Sequence, residues 1–282
     1  MKFEIGAMLE SFCLPEKEAF KIASSLGVTG IQMYAVSGEH APQNMTADKK
    51  SELLSMMNDN GLRFSALCGD FGKGFGNPEE NPKLIEDSKR ILDLAKDLGT
   101  DIVTTHIGVV PTDKAHPRYA IMQDACGRLA EYADSIGSHF AIETGPETSA
   151  VLGEFLDGLH STGVSVNLDP ANLVMVTGDD PVKAVHRLKK YIVHTHAKDG
   201  IKLHESNPEY IYHVVHPVPK EFEGIEYFRE VPLGEGSVDY PAYLQALSDI
   251  GYKGFLTIER ECGDTPAKDI EKAAKFLQNL IK

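Results

Sequence analysis

One rhythm runs from end to end of this 282-residue chain and constrains its fold more than any single residue does. A short run rich in Val, Ile, Phe and Thr is followed by a stretch with helical spacing, then by a Gly, and then by the next run. The runs are FEIGAML (3–9), GIQMYA (30–35), RFSALCG (63–69), DIVTTHIG (101–108), HFAIETG (139–145), VSVNLD (164–169), YIVHTHA (191–197) and GFLTIER (254–260). Between them, KLIEDSKRILDLAKDLG (83–99) places apolar residues at 84, 85, 91, 92, 94, 95 and 98, which is helical spacing and not alternation. The Gly in LGVTG, NGLRF, LGTD, IGSHF, TGVSV and IGYKG falls where a helix should stop. Eight parallel strands with short connections leave two architectures, a closed barrel or a large doubly wound sheet. A doubly wound sheet should carry a Gly-rich phosphate loop after its first strand, and residues 9–15 read LESFCLP. The polar residues gather instead at the C-terminal strand ends, where barrels build their sites. The predicted fold is therefore an α/β, single-domain (β/α)8 TIM barrel over residues 1–282, with a long loop after the seventh strand.

That loop, 200–238, breaks the rhythm: it runs about 40 residues, far beyond the usual connection of about 4–6. It carries Pro208, Pro217, Pro219 and Pro232, many acids, and Tyr210, Tyr212, Phe222, Tyr227 and Phe228. A variable surface insertion is the plain reading. Its place beyond a strand's C-terminal end favours a lid, a substrate wall or an interface element. Composition narrows the partners further. Lys+Arg 28 against Asp+Glu 42 sets a formal net charge of -14, which repels phosphate backbones and anionic membranes. No nucleic-acid or membrane partner is expected. Cys13, Cys68, Cys126 and Cys262 are scattered without a CxxC, as suits reduced thiols in a cytoplasmic protein. The opening MKFEIGAMLE reads as a strand rather than a signal peptide.

Reading four consecutive strands to their ends gives Glu143 in AIETG, Asp169 in NLDPAN, His196 in HTHAKD and Glu259 in TIERE. Any one of them could hydrate the rim or pair with Lys198 or Arg260. Three carboxylates converging in a barrel mouth repel one another, however, so the set makes sense around a cation. Carboxylate oxygens with one imidazole suit a single divalent metal ion, with Mn²⁺ the first choice and Mg²⁺, Co²⁺ and Zn²⁺ the alternatives.

These four motifs, with VPLGEGSVDY (231–240), resemble the xylose-isomerase-like barrels, a superfamily of sugar isomerases and epimerases with inosose dehydratases and an AP-endonuclease branch. The resemblance covers nearly the whole chain. It implies a metal set of Glu143, Asp169, His196 and Glu259, and, as in ketose 3-epimerases, Glu143 and Glu259 as acid and base on opposite faces of the reacting carbon. The implied function is a divalent-metal-dependent isomerase or epimerase of a ketose or polyol ketone, abstracting a proton α to a carbonyl through a metal-stabilised enediolate. An inosose-dehydratase-type lyase is the alternative, and a catalytically inactive sugar- or metal-binding barrel is the alternative from another class. The chain departs from the epimerase pattern at Asn172, where that branch has His, and at Lys202, where it has a substrate-contacting Arg. Ser149 stands where that branch has an acid, with Glu147 nearby. The implied substrate contacts are thus His106, Glu147, Asn172, Lys198 and Lys202. The DNA-repair branch needs further His ligands, whereas the third strand here ends in Cys68 and Gly69.

The remaining candidates have plainer readings. His106 in TTHIG could serve a structural hydrogen bond as readily as a substrate. His194 shares a face with His196 one layer deeper, and reads as a packed polar residue that orients its neighbours. Lys198 shares that face nearer the mouth, as a substrate binder or in a salt bridge to Glu143, Glu259 or Asp199. Glu261 alternates with Glu259, either facing substrate or at the rim. Glu10, Glu39 and His40 read as solvated rim, and Cys68 as a buried small residue. Few Arg lie at the strand ends, which weighs against a phosphosugar. Related barrels often associate through long loops, which leaves a homo-oligomer open.

Overall fold

The computed structural model describes residues 3–261 and 263–282; Cys262 lies outside them. In chain order the elements are β1 (Glu4–Met8), α1 (Glu16–Ser25), β2 (Gly30–Tyr34), α2 (Ala47–Asp59), β3 (Arg63–Cys68), α3 (Asn81–Asp97) and β4 (Ile102–Thr105). They continue with α4 (Pro117–Ser135), β5 (His139–Glu143), α5 (Ser149–Asp157), β6 (Val164–Leu168), α6 (Pro170–Asn172) and α7 (Pro181–Leu188). The last third holds β7 (Ile192–Ala197), β8 (Asp199–Lys202), α8 (Pro208–Ile211), β9 (Phe228–Val231), α9 (Tyr240–Asp249), β10 (Phe255–Ile258) and α10 (Pro266–Leu280).

Every apolar run becomes a barrel strand. The closed sheet runs β1-β2-β3-β4-β5-β6-β7-β10, and β10 pairs in parallel with β1 to complete the single-domain TIM barrel. Helical residues at 84, 85, 91, 92, 94, 95 and 98 are all buried, so the apolar face of α3 lies against the sheet. Strands covered by helices outside and filled inside are buried along their whole length, as β6 is. Proline begins α4, α6, α7, α8 and α10, where its missing N–H costs nothing. Gly99 ends α3 with φ +80, a left-handed stop that a side chain would strain. Gly163 was expected to do the same after α5 but keeps an ordinary φ. It is small because a Cβ there would lie 2.0 Å from the Ala130 carbonyl oxygen of α4.

The segment 200–238 is not a featureless loop. β8 and β9 form an antiparallel ribbon, Asp199 opposite Val231 and Lys202 opposite Phe228, with α8 on the excursion between them. The two strands are four residues each and carry no clean alternation, so their pairing depends on contacts distant in sequence. The VPLGEGSVDY stretch has its own reason. The Asp199 carboxylate is buried and accepts four backbone N–H groups, from Gly200 and Val238 on Oδ1 and from Gly234 and Gly236 on Oδ2, at 2.9–3.1 Å. A Cβ at Gly236 would sit 2.1 Å from that carboxylate, which is why the turn carries Gly.

Candidate metal centre and its cavity

Because β5, β6, β7 and β10 are neighbours in the barrel, their C-terminal ends deliver Glu143, Asp169, His196 and Glu259 to one place. A ligand atom from each lies within 4.8 Å of those from the others, and all four residues are buried. His196 Nδ1 is the hub, 3.5 Å from Glu143 Oε1, 3.3 Å from Asp169 Oδ2 and 3.2 Å from Glu259 Oε2. Glu143 and Glu259 stand on the two outer strands of this four-strand arc.

Each ligand is aimed by its neighbours. Asp169 caps the turn α6, with Oδ1 accepting from the Asn172 N–H at 2.8 Å, which turns Oδ2 toward His196. The backbone of Asp169 is clamped by Thr144, whose hydroxyl donates to the Asp169 carbonyl at 2.9 Å and accepts from its N–H at 2.8 Å. Glu143 receives Asn172 Nδ2 on one oxygen and Asn167 Nδ2 on the other, both at 3.1 Å. One layer down, Gln32 Oε1 lies 3.1 Å from His196 Nε2 and 2.9 Å from His194 Nε2, while its own amide donates to Thr104. An Nε2–H on Gln32 leaves the lone pair of His196 on Nδ1, facing the carboxylates.

The charge balance fits a divalent cation. Burial disfavours a charged His196, yet Glu259, Glu143 and Asp169 outweigh it and hold the imidazole well above its ordinary pKa. Burial likewise opposes ionisation of Glu259, but the charges of His196 and Lys198 keep it well below the usual carboxylate range. A divalent ion taking the place of the imidazolium proton would meet the same carboxylates and leave the Nδ1 lone pair free to ligate, a donor set that suits Mn²⁺, Mg²⁺, Co²⁺ or Zn²⁺.

Glu143, His196 and Glu259 of the cluster line a cavity of about 1070 Å³ that also reaches the long loop, while Asp169 is fully buried and does not line it. His106 lines it: Nδ1 bonds Asp70 Oδ2 at 3.1 Å, and Nε2, without a hydrogen-bond partner, lies 3.7 Å from Glu143 Oε1. Burial would lower its pKa, but Glu143 and Asp70 push it up to about 9. The structural bond and the cavity-facing position therefore coexist. Asn172 and Lys198 also line the cavity. Lys198 pairs with Glu259 at 3.0 Å and with Glu261, and neither Glu143 nor Asp199 is its partner. Tyr212 enters from the loop with its ring 5.4 Å from that of His106. Gly145 makes room for it, since a Cβ there would lie 3.0 Å from the Tyr212 hydroxyl and 2.6 Å from Asn172 Cβ.

Two expected substrate contacts are not brought to the cavity. Lys202 lies on the ribbon, where β8 pairs with β9 and not with the barrel strands, and its ammonium is 2.8 Å from Glu205. Glu147 is buried behind the wall, where Oε2 accepts from the Val110 N–H at 3.1 Å. His40 pairs with Glu16 and, like Glu10 and Glu39, is not among the cavity-lining residues. Cys68 is buried, and its thiol is raised far above its ordinary pKa by that burial. Missed were Gln32, Asn167 and Asp70. The first two had a signal, a lone amide inside an apolar strand run, and Asn167 shares a face with Asp169.

The model of the family described as xylose isomerase-like TIM barrel matches residues 20–280. Among curated proteins, an inosose dehydratase of Lacticaseibacillus casei is 26% identical over 170 residues, 60% of this chain and 55% of that protein. A rhizopine catabolism protein of Rhizobium meliloti is 32% identical over 169 residues, 57% of this chain and 47% of that protein. The chain spans about half the length of these curated relatives. The crystal structure of a xylose isomerase domain protein from Planctomyces limnophilus superposes with TM-score 0.79 at 25% identity, over 99% of this chain and 96% of that one. Among the described residues, no helix is long and apolar enough to cross a membrane.

Proposed function

The chain belongs to the xylose isomerase-like TIM-barrel family, and from that premise we propose that it is a divalent-metal-dependent enzyme that abstracts a proton α to a carbonyl of a sugar or polyol ketone. The observation that carries the proposal is the buried Glu143–Asp169–His196–Glu259 cluster, three of whose members line an open cavity. Glu143, Asp169, His196 and Glu259 would hold one ion, with Mn²⁺ the first choice. When bound, that ion would polarise the carbonyl of the substrate and make its α-proton removable.

The side chains do the rest. Glu143 and Glu259 stand at the two ends of the arc and would approach a substrate held between them from different sides. One carboxylate takes the α-proton and the other returns a proton. Return on the opposite face gives epimerisation, and return at the neighbouring carbon gives aldose–ketose isomerisation. Asn167 and Asn172 hold Glu143 by both oxygens, and Lys198 holds Glu259, so each carboxylate is kept in one orientation. His106 and Asn172 would bind substrate hydroxyls. Segment 200–238 acts as a wall or lid, supported by Ile211–Val214 lining the cavity and by the ion pair of Glu209 with Arg118 of α4.

A second reading, a lyase of the inosose-dehydratase kind, is favoured by the similarity to the inosose dehydratase of Lacticaseibacillus casei. It shares the first proton abstraction and then expels a β-hydroxyl. Incubating the Mn²⁺-loaded protein with ketoses and inososes in D₂O separates the two. Deuterium at the α-carbon without water loss supports isomerisation or epimerisation, and loss of water supports the lyase. Binding with no exchange would leave a binding barrel and sink the enzymatic reading.

A further inference from the structure

We propose that Glu230, carried by the ribbon β8–β9 and not by the barrel, is a positioning residue for the centre. It holds Lys198 and, through that ammonium, the carboxylate of Glu259. The inference rests on the metal-centre reading above and goes beyond it by giving the ribbon a part in the site.

Glu259 lies past the end of its strand, since β10 stops at Ile258. Its N–H still reaches the Ala197 carbonyl at 3.2 Å, but side chains hold the residues that follow. The Ser11 hydroxyl accepts from the Arg260 N–H at 3.0 Å, and the two Glu230 oxygens accept from the Glu261 N–H at 3.1 and 3.3 Å. Arg260 Nη1 donates to the same carboxylate, while its Nε donates to Asp269 of α10 at 2.9 Å. Glu230 borders the cavity, yet its side chain is only 4% exposed, so it is spent on these partners and offers little surface to a substrate.

The second effect is electrostatic. The Lys198 ammonium stands 3.0 Å from Glu259 Oε2. A buried cation there competes with a divalent ion for that carboxylate and repels the ion. Glu230 Oε2, 3.9 Å from Lys198 Nζ, shares the charge, and so does Glu261. Glu261 is 56% exposed, so water screens its share, whereas the buried Glu230 acts with little screening. Neutralising Glu230 would leave the ammonium more tightly on Glu259 and less compensated. Both changes lower the affinity of the centre for a divalent ion.

The test uses the full chain. Glu230→Gln keeps one oxygen for Arg260 and the Glu261 N–H and replaces the other by an amide. Glu230→Asp keeps the charge on a shorter stem. Calorimetry measures Mn²⁺ affinity, melting temperature checks folding, and α-deuterium exchange with ketoses and inososes gives kcat and KM. Mn²⁺ affinity of Glu230→Gln should fall about tenfold, and that of Glu230→Asp about threefold. The Asp variant decides alone if the amide variant does not fold. Exchange at saturating Mn²⁺ should lose kcat while KM stays within about twofold. In a Lys198→Met background, adding Glu230→Gln should change Mn²⁺ affinity by less than about twofold, because the ammonium it acts through is gone. Unchanged Mn²⁺ affinity in the folded variants overturns the proposal, as does a full effect in the Lys198→Met background or a loss confined to KM. The expected Mn²⁺ effects without exchange on any probe would refute the enzymatic reading and leave the role of Glu230 standing. Exchange by the unmodified protein, with Mn²⁺ affinity untouched in the variants, would do the reverse.

Discussion

Glu147 is a buried carboxyl with one oxygen on the Val110 N–H and the other, Oε1, without a partner. Burial pushes its pKa up to about 8, against smaller opposing effects from the Val110 N–H and His106. In the unfolded chain it should titrate near the ordinary value of about 4.3. Between these two values the folded protein holds a proton that the unfolded chain has released. The unfolded state then binds fewer protons than the native one, so the contribution of Glu147 to stability falls as pH rises from about 4.3 to about 8. It is fully present below that window and lost above it. At about 1.4 kcal/mol per pKa unit, the change across the window is roughly 3–6 kcal/mol. Glu147→Gln keeps an acceptor for Val110 and cannot ionise. It should match the unmodified protein near pH 4.5 and exceed it in stability by that amount near pH 9. Urea unfolding of both proteins at five pH values provides the assay, because the other titrating groups cancel in the difference. A difference that does not change with pH would refute the reasoning.

Two further perturbations probe the site and its loop. Gln32→Leu removes the oxygen that receives both His194 and His196; affinity for Mn²⁺ should fall on the order of 10–100-fold, read by calorimetry, with melting temperature as the check on folding. Asp199→Asn replaces one of two accepting oxygens by a donor facing two backbone N–H groups. Two half-buried N–H groups left without an acceptor should cost roughly 1–3 kcal/mol in denaturant unfolding, and a loss under 0.5 kcal/mol would contradict the role given to this carboxylate.

Much of the fold was legible because a barrel strand and its covering helix each carry their own periodicity. The eight runs and the helical spacing of 83–99 needed no partner to be recognised. The ribbon β8–β9 was not legible, because four-residue strands without alternation become strands only when they meet. Gly163 shows the same limit on a smaller scale: its turn position suggested a stop signal, whereas the contact that requires it is with Ala130, distant in sequence. At the site, the convergence of Glu143, Asp169, His196 and Glu259 could be argued from like charges at consecutive strand ends. Lys202 and Glu147 could not be placed, because spacing along a loop does not tell which way the backbone leaves the barrel.

The sequence by itself determined the architecture and the chemical character of the centre. Hydrophobic period specifies strands and helices, and residue type specifies what an atom can donate, accept or ligate. Only the tertiary structure decided the commitments. It gave Lys198 to three carboxylates, Asp199 to four backbone N–H groups, His106 to Asp70, and Gln32 to two histidines. Hydrogen bonds and ion pairs act over about 3 Å between groups that the chain separates by up to 252 residues. The partner of a polar atom is therefore known only once the barrel has closed.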